Sequence, residues 1–300
     1  MSTATTPSIG FIGLGLMGKP MALNLRRAGF ALDVMSRSPG PVDELVAAGA
    51  RRATTAAELA ARCDVIITML PDSPDVQQVL AGPAGVFDGA RAGTIVVDMS
   101  SISPVATREL AVEAGRRGLH LLDAPVSGGE IGARSATLSI MVGGDADVLE
   151  RVRPVLEALG TRERIVHVGP SGAGQLCKVC NQLVIGGTLA AVSEAFALAR
   201  KSGVDAAKVR QALLGGFAAS RVLEVHGERM LQSNYVPGFR AEMYQKDLRI
   251  AVDTARAHSV PMPVTACVQQ LLSALLAAGR GRDDYSALAT VLFDLANLTD

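Results

Sequence analysis

Three glycines near the start of the chain have the spacing of a phosphate-binding loop. Gly13, Gly15 and Gly18 form a G-x-G-x-x-G that follows the apolar run Ile9–Ile12 and opens a helical stretch. In that context the first glycine permits a tight turn, the second lets a pyrophosphate approach the backbone, and the third lets helix and strand pack closely. The segment Gly13-Leu14-Gly15-Leu16-Met17-Gly18 therefore predicts a dinucleotide site at a helix N-terminus. A glycine-rich turn without a ligand is the alternative.

A basic residue follows the second predicted strand, about twenty residues after the last glycine. Sites that prefer NAD usually carry Asp or Glu there to bind the ribose 2′-hydroxyl, whereas this chain has Ser36, Arg37 and Ser38. A guanidinium matches a 2′-phosphate, and the missing carboxylate removes repulsion against it. The pattern favours NADP(H) and leaves NAD(H) open. An Arg37 that is merely solvated is the alternative.

One lysine stands alone in a long apolar stretch in the middle of the chain. Lys178 is the only basic residue between His167 and Arg200. Burying an ammonium group costs free energy unless the group is paired. Burial also lowers the pKa of a lysine toward the range useful for acid–base catalysis. Asn181 and Gln182 lie three and four residues further on, so they share its helix face. Lys178 is thus a candidate acid or base, the alternative being a lysine that extends to solvent.

A serine and two glycines follow another predicted strand. They end the segment Asp123-Ala124-Pro125-Val126-Ser127-Gly128-Gly129. Open α/β sheets bind ligands outside the carboxyl ends of their strands. Ser127 offers a hydroxyl there, and the backbone N–H groups of Gly128 and Gly129 can hold a carboxylate. The same residues are also typical of an ordinary turn.

The composition favours a globular protein with a large buried core. Of the 300 residues, 49% are hydrophobic, and 29 basic residues are balanced by 29 acidic ones. This balance argues against nucleic acid and anionic membranes as partners. Four cysteines are too few for a disulfide framework, and the first eight residues have no basic side chain typical of a secretory signal. Both features indicate the cytoplasm.

Short β-branched runs alternate with Ala/Leu-rich stretches through the first half of the chain. Such alternation predicts a parallel sheet covered by helices on both faces. The predicted strands are 9–13, 32–35, 65–70, 95–99 and 121–126, with two late strands at 137–142 and 165–168. The predicted helices are 17–28, 41–48, 55–61, 73–80 and 104–117.

The pattern becomes helical after Gly169. A long helix is predicted from about 172 to 202, and its longest uncharged run, Val179 to Ser193, is too short to span a bilayer. Shorter helices are predicted near 205–214, 220–232, 240–258, 264–278 and 285–298. The chain is therefore divided into an α/β domain, 1–168, and an all-α domain, 169–300, joined by the long helix.

Three segments taken in order resemble the β-hydroxyacid dehydrogenase family: GFIGLGLMGKPMALNL, DAPVSGG and GPSGAGQLCKVCNQ. The likeness covers nearly the whole chain. It implies a Rossmann-like domain, then a helical substrate domain that forms homodimers or homotetramers. The segments VIITMLPDSP, VDMSSISP, DAPVSGGE and DYSAL resemble the branch that reduces tartronate semialdehyde to glycerate. A 3-hydroxyisobutyrate dehydrogenase, or a reductase of another short semialdehyde, is the alternative.

The resemblance also implies roles for particular residues. Lys178 would be the catalytic acid or base, and Ser127, Gly128 and Gly129 would hold the substrate carboxylate. Family members often use an asparagine four residues after the lysine. This chain has Gln182 there and Asn181 one position earlier, so either can assist.

Further contacts are implied around the cofactor. In the late segment Gln245-Lys246-Asp247-Leu248, Lys246 would approach the cofactor and Asp247 would support the site. Leu70, Pro71 and Ser101 resemble other cofactor-contacting positions.

Two other interpretations are weaker. A non-catalytic dinucleotide-binding scaffold would keep the fold without needing Lys178, Ser127 and Lys246 together. The Cys177-x-x-Cys180 pair has the spacing of a metal site, but no second pair accompanies it, so no metal is expected.

Overall fold

The architecture is that of a computed structural model, which describes residues 6–298. The chain forms two compact units, with the division between Lys178 and Val179. That division lies inside the long helix predicted from the sequence. The domain boundary placed at residues 168–169 stays a prediction.

The first unit is built on one twisted sheet. Its strands are β1 (Ile9–Ile12), β2 (Leu32–Met35), β3 (Arg51–Arg52), β4 (Val65–Thr68), β5 (Ile95–Asp98), β6 (His120–Asp123), β7 (Val126–Ser127), β8 (Leu138–Gly143) and β9 (Gly160–Gly169). Its helices are α1 (Gly18–Arg27), α2 (Pro39–Ala47), α3 (Ala56–Ala60), α4 (Ser73–Ala81), α5 (Val86–Gly89), α6 (Pro104–Arg116), α7 (Gly129–Ser135) and α8 (Ala146–Glu157). Helix α9 (Ala173–Lys201) begins in this unit.

The strand order defines a doubly wound sheet. Strands β3-β2-β1-β4-β5-β6 are adjacent in that order and parallel, so the order reverses beside β1. The carboxyl ends of these strands therefore share one edge, and the crevice at the reversal is where such sheets bind ligands. The predicted parallel sheet is confirmed for β1 to β6, but the late strand β8 runs antiparallel to β6 and β7, and β9 runs parallel to β8.

Both faces of this sheet are covered because its strands are apolar on both sides. Ile67 and Val97 belong to one buried cluster, while their neighbours Ile66 and Val96 belong to the other. Strands buried on both faces need this near-continuous run of apolar residues rather than alternation. The fold class predicted from that pattern is confirmed.

The second unit is helical. After the remainder of α9 come α10 (Ala206–Leu214), α11 (Arg221–Leu231), α12 (Ala241–Ala257), α13 (Pro263–Ala277), a 3₁₀ turn (Tyr285–Ala287) and α14 (Leu288–Leu295). Its core packs around the fully buried Tyr244 and Phe196. All five later helices were predicted within a few residues of their observed bounds.

Helix α9 is long and apolar enough to cross a membrane by length and composition alone, with a window of mean hydropathy 1.5. The argument that its uncharged run is too short therefore does not extend to the whole helix. Core helices pass the same test, and Leu189, Val192 and Phe196 of α9 lie in the buried core of the second unit.

Four short or amphipathic elements were missed by the sequence analysis: β3, α5, α7 and α8. Strand β3 has only two residues and α5 four, so neither shows a measurable period. Helix α8 is longer, and its signal was present: Asp145 caps it by accepting hydrogen bonds from the N–H groups of Asp147 and Val148.

A buried carboxylate holds together the segment between α11 and α12. Asp284 is 1% exposed, and its Oδ2 accepts hydrogen bonds from the N–H groups of Gly238 (2.9 Å) and Phe239 (3.1 Å). Its Oδ1 accepts from the Ser286 hydroxyl at 2.6 Å. Arg229 places a guanidinium nitrogen 3.6 Å away. The DYSAL segment therefore fixes the backbone of the Pro237–Arg240 segment.

Asp284→Ala should lower the free energy of unfolding by about 2–4 kcal/mol, because it leaves several buried donors without an acceptor. The matched control is Asp283→Ala, whose carboxylate forms a surface ion pair with Arg280 and should cost less than about 1 kcal/mol. Urea unfolding of both variants measures the difference. Equal losses would contradict the assigned role of Asp284.

Candidate active site

The glycine loop has the backbone geometry that its spacing predicts. Gly13 has φ +100, and a Cβ there would overlap the carbonyl oxygen of Met69. A Cβ on Gly18 would overlap the carbonyl oxygen of Gly13, so only glycine allows α1 to start this close to β1. A Cβ on Gly15 would have no atom within 4 Å. The loop is therefore closed on the protein side and open where a ligand would lie.

The start of α1 offers hydrogen-bond donors to that open space. Within the described chain, no side chain caps this helix and its first turn has no acidic residue. Leu16 is half exposed at the loop tip. Helix N-termini without a protein acceptor favour a bound anion through their N–H groups and dipole. The residues present thus fit the pyrophosphate of a dinucleotide.

The residues after β2 form the next part of this edge. The Ser36 hydroxyl oxygen lies 3.5 Å from the N–H nitrogen of Leu14 and 3.5 Å from that of Ser38. Arg37 is largely exposed, and its Nη1 lies 3.4 Å from the Asp75 carboxylate. A cavity of about 270 Å³ opens here between Ser36, Arg37, Pro39, Val42, Arg52 and Thr54. Arg52 was not among the predicted site residues.

The ends of β4 and β5 are tied to each other. The Leu70 N–H donates to the Ser100 hydroxyl at 2.9 Å. Pro71 is exposed and Ser101 is half-buried at this same edge. The three predicted positions Leu70, Pro71 and Ser101 therefore follow neighbouring strands, as their place in the sequence predicts.

A buried carboxyl group lies beneath these strand ends. Asp98 is 1% exposed, and its Oδ1 accepts hydrogen bonds from the Thr68 hydroxyl (2.8 Å) and the Ser100 N–H (3.2 Å). Burial raises the pKa of Asp98 to about 6, against the lowering effect of these hydrogen bonds, and the Asp123 charge adds to the rise. The group supports the β4 and β5 ends from within the protein.

Asp123 fastens the start of α9 to the sheet. Its Oδ1 accepts a hydrogen bond from the Gly172 N–H and its Oδ2 from the Gln175 N–H, each at 2.8 Å. The carboxyl group is fully buried, which raises its pKa, while the backbone donors lower it. It acts as the N-terminal cap of α9, supplied by β6 rather than by the helix itself.

Gln175 completes this attachment. Its Oε1 accepts from the Ile102 N–H at 3.1 Å, and its Nε2 donates to the Ser100 carbonyl at 2.8 Å. The residue is 1% exposed. Lys178 lies three residues further along α9 and is half-buried. The turn of helix that carries Lys178 is therefore fixed to the carboxyl ends of β5 and β6.

Ser127 and its glycines lie where β7 ends. Ser127 pairs with Ser139 in the antiparallel β7–β8 ladder and is half-buried. Gly128 (φ +136) and Gly129 (φ +61) are exposed. Positive φ favours glycine at both positions, and backbone N–H groups in turns of this kind can bind anions.

The remaining predicted residues form a network in the second unit. Gln182 is 4% exposed, and its Nε2 donates to Asp247 Oδ2 at 2.6 Å. Its Oε1 accepts from Asn181 Nδ2 at 2.7 Å. The Tyr244 hydroxyl donates to the Gln182 carbonyl at 2.7 Å. Lys246 Nζ lies 3.0 Å from Asp247 Oδ1.

This network distinguishes the two amides that the sequence could not separate. The Gln182 side chain is buried and bonded at both ends, whereas Asn181 is half-buried and gives its amide nitrogen to Gln182. Gln182 thus orients Asn181.

The sequence analysis missed the supporting residues Asp98, Asp123, Gln175 and Tyr244. A signal existed for two of them: Asp98 and Asp123 are each the first charged residue after an apolar strand run. Charged groups at such positions are buried only when they are hydrogen-bonded. Nothing in the sequence showed that Asp98 would accept a hydrogen bond from the Thr68 hydroxyl, or Asp123 from the N–H groups of Gly172 and Gln175.

Comparisons with known proteins agree with this arrangement. Residues 8–169 match the family model described as the NAD binding domain of 6-phosphogluconate dehydrogenase. Residues 172–292 match the model described as NAD-binding of NADP-dependent 3-hydroxyisobutyrate dehydrogenase. The 2-hydroxy-3-oxopropionate reductase of Escherichia coli (strain K12) is 49% identical over 289 residues, 96% of this chain and 98% of the relative.

Solved structures show the same fold. The Mycobacterium tuberculosis 3-hydroxyisobutyrate dehydrogenase with L-serine is 35% identical, with a TM-score of 0.88 over 96% of this chain and 99% of that one. Psf3 in complex with NADP+ and 2-OPP is 25% identical, with a TM-score of 0.85 over 95% of this chain and 99% of that one.

A glycine loop at the reversal point of a doubly wound sheet, followed by a helical unit, defines a class of dinucleotide-dependent oxidoreductases. This chain belongs to the β-hydroxyacid dehydrogenase family, whose members resemble 3-hydroxyisobutyrate dehydrogenase. It is an NAD(P)-dependent enzyme of that family.

Gln175→Leu should lower the free energy of unfolding by about 2–4 kcal/mol, since the Ile102 N–H and the Ser100 carbonyl would be buried without partners. Gln77→Leu, on the exposed face of α4, is the matched control and should change stability by less than about 0.5 kcal/mol. Thermal unfolding followed by circular dichroism compares them. Similar melting temperatures would show that Gln175 does not hold α9.

Proposed function

We propose that this enzyme reduces tartronate semialdehyde (2-hydroxy-3-oxopropanoate) to glycerate and prefers NADPH. The observation that carries the proposal is the 49% identity, along nearly the whole of both chains, to the E. coli 2-hydroxy-3-oxopropionate reductase. The proposal is supported by the presence of Lys178, Ser127 and Lys246, to which the family resemblance gives roles in the reaction. The 3-hydroxyisobutyrate dehydrogenase reaction is the second candidate, favoured by the match of residues 172–292.

Lys178 is the proposed acid. When bound, the reduced nicotinamide supplies the hydride that reaches the aldehyde carbon. Lys178 donates a proton from its ammonium group to the oxygen that becomes the new hydroxyl, and its charge stabilises the negative charge developing there. The attachment of the first turn of α9 to the sheet through Asp123 and Gln175 supports this role, because a proton donor must be held within hydrogen-bond reach of the reacting oxygen.

Ser127, Gly128 and Gly129 are the proposed carboxylate site. The Ser127 hydroxyl and the N–H groups of the two glycines are neutral donors, and several such donors together bind an anion. Neutral donors also leave the positive charge of the site to Lys178.

The second-unit network supplies the remaining proposed contacts. Asn181 hydrogen-bonds the substrate oxygen, and Gln182 holds Asn181 in place. Asp247 orients Gln182 and neutralises Lys246, whose ammonium lies 3.0 Å away. Lys246 is proposed to contact both cofactor and substrate.

The cofactor contacts follow from the first unit. The pyrophosphate binds at the loop formed by Gly13, Leu14, Gly15, Leu16, Met17 and Gly18. Ser36, Arg37 and Ser38 surround the adenosine ribose, and Leu70, Pro71 and Ser101 line the edge toward the nicotinamide. The preference for NADP(H) rests on Arg37 and on the absence of an acidic residue at the end of β2.

Assembly, domain roles and location complete the proposal. Residues 1–168 bind the dinucleotide, and residues 169–300 bind substrate and assemble the enzyme as a homodimer or homotetramer in the cytoplasm. A non-catalytic scaffold is the different-class alternative, and absence of turnover with every semialdehyde tested would favour it.

Lys178→Ala should lower kcat by about a hundredfold or more, because general acid catalysis contributes at least that much. Turnover is measured as loss of NADPH absorbance with tartronate, methylmalonate and succinate semialdehydes, of which tartronate semialdehyde should give the highest kcat/KM. The control is Lys201→Ala at the far end of α9. Calorimetric titration with NADPH should give wild-type affinity for both variants.

Two results would reject this proposal. Normal turnover by Lys178→Ala would remove Lys178 from the mechanism. A higher kcat/KM for methylmalonate semialdehyde than for tartronate semialdehyde would favour the 3-hydroxyisobutyrate dehydrogenase reaction instead.

Arg37→Ala should raise the KM for NADPH about tenfold, because it removes a charge-assisted hydrogen bond to the 2′-phosphate. The KM for NADH should hardly change. The control is Arg116→Ala, which removes the same charge at the C-terminal end of α6, away from the carboxyl edge of the sheet. It should change neither KM. An unchanged KM for NADPH in Arg37→Ala would overturn the assignment of Arg37.

A further inference from the structure

The cavity beside Ser36 contains a second guanidinium group that the proposed function does not use. Strand β3 consists of Arg51 and Arg52, whose side chains point to opposite faces of the sheet because strand residues alternate. Arg51 forms an ion pair within the chain, because its Nε and Nη2 donate to the carboxylate of Asp33, which is 7% exposed. Arg52 instead lines the cavity together with Arg37.

Two cations that share a small cavity repel each other unless an anion lies between them. Each arginine has a carboxylate partner, Asp43 for Arg52 and Asp75 for Arg37, but neither carboxylate lines the cavity. These are surface ion pairs, with Arg52 half exposed and Arg37 more so, and such pairs contribute little. A phosphate group can compete with them, because arginine binds phosphate through two parallel charge-assisted hydrogen bonds.

The remaining polar side chains of the cavity suit a phosphate ester. The Ser36 hydroxyl oxygen faces the N–H groups of Leu14 and Ser38, so its own proton remains to donate. The Thr54 hydroxyl is already donated to Glu58. The residues that line the cavity thus include three side-chain donors, Ser36, Arg37 and Arg52, and no carboxylate. The contact of Ser36 with Leu14 also places this cavity beside the glycine loop.

We propose that Arg52 and Arg37 together clamp the 2′-phosphate of NADPH, with Arg52 as a specificity-determining residue for the cofactor. This inference rests on the proposed preference for NADP(H). Arg52 reaches the phosphate from β3, the strand beside β2. The clamp exchanges two surface ion pairs for one phosphate held by both arginines.

Two probes that differ only in the 2′-phosphate test this proposal: adenosine 2′,5′-bisphosphate and adenosine 5′-monophosphate. Isothermal titration measures both dissociation constants for the full-length protein. Arg52→Ala should weaken binding of the bisphosphate about tenfold and leave the monophosphate within about twofold. Arg52→Lys should recover part of the loss, because it keeps the charge but not the paired donors. Arg116→Ala should match the wild type with both probes.

The outcomes separate this inference from the proposed function. Wild-type protein that prefers the bisphosphate, with the preference lost in Arg37→Ala but kept in Arg52→Ala, would overturn the role of Arg52 and leave the NADPH preference intact. Wild-type protein that binds both probes equally would overturn the NADPH preference and the clamp together. Loss of monophosphate binding in Arg52→Ala would also count against the clamp, since it would reveal a general structural defect.

Discussion

The attachment of α9 to the sheet through Asp123 is the interaction on which the proposed chemistry depends. A buried carboxylate at the end of β6 receives two backbone N–H groups from the start of the helix. The approach is close: a Cβ on Gly143 would lie 2.6 Å from Asp123 Oδ1, and one on Gly174 would lie 2.6 Å from its carbonyl oxygen. Glycine at both positions is therefore a steric requirement. The helix turn that carries Lys178 is set by these contacts rather than by its own sequence preferences.

A second constraint acts at the opposite end of the ligand edge, where charge rather than packing determines what can bind. The glycine loop and the uncapped start of α1 provide backbone donors for an anion, while Lys19 in the first turn of α1 is paired with Glu44. The residues after β2 and on β3 add guanidinium groups beside it. The combination separates two tasks. In the proposed function, backbone donors hold the part common to both nicotinamide dinucleotides, and the arginines distinguish the cofactor that carries an additional phosphate.

The second unit also uses buried carboxylates to fix particular segments of the chain. Asp247 orients the amide of Gln182, and Asp284 holds the backbone of the Pro237–Arg240 segment. Each is 4% exposed or less. Burying a carboxylate costs free energy unless its oxygens accept hydrogen bonds. A substitution that removes one donor therefore destabilises the whole hydrogen-bonded group. The family resemblance in DYSAL and in Gln245–Leu248 thus has a structural cause.

The sequence by itself determined the fold class, most of the element bounds and the glycine loop, because hydrophobic period and glycine spacing are local properties. It also pointed to Lys178, Ser127 and Arg37, whose residue types are unusual for their immediate surroundings. Only the tertiary structure decided what supports them. Asp123 meets Gly172, Gln175 meets Ser100 and Ile102, and Arg52 shares a cavity with Arg37, although these residues lie far apart in the chain. The antiparallel direction of β8 was likewise beyond the sequence, since a strand's apolar pattern is the same whichever way it runs. Contacts of this kind depend on which strands become neighbours, and local sequence patterns do not determine that.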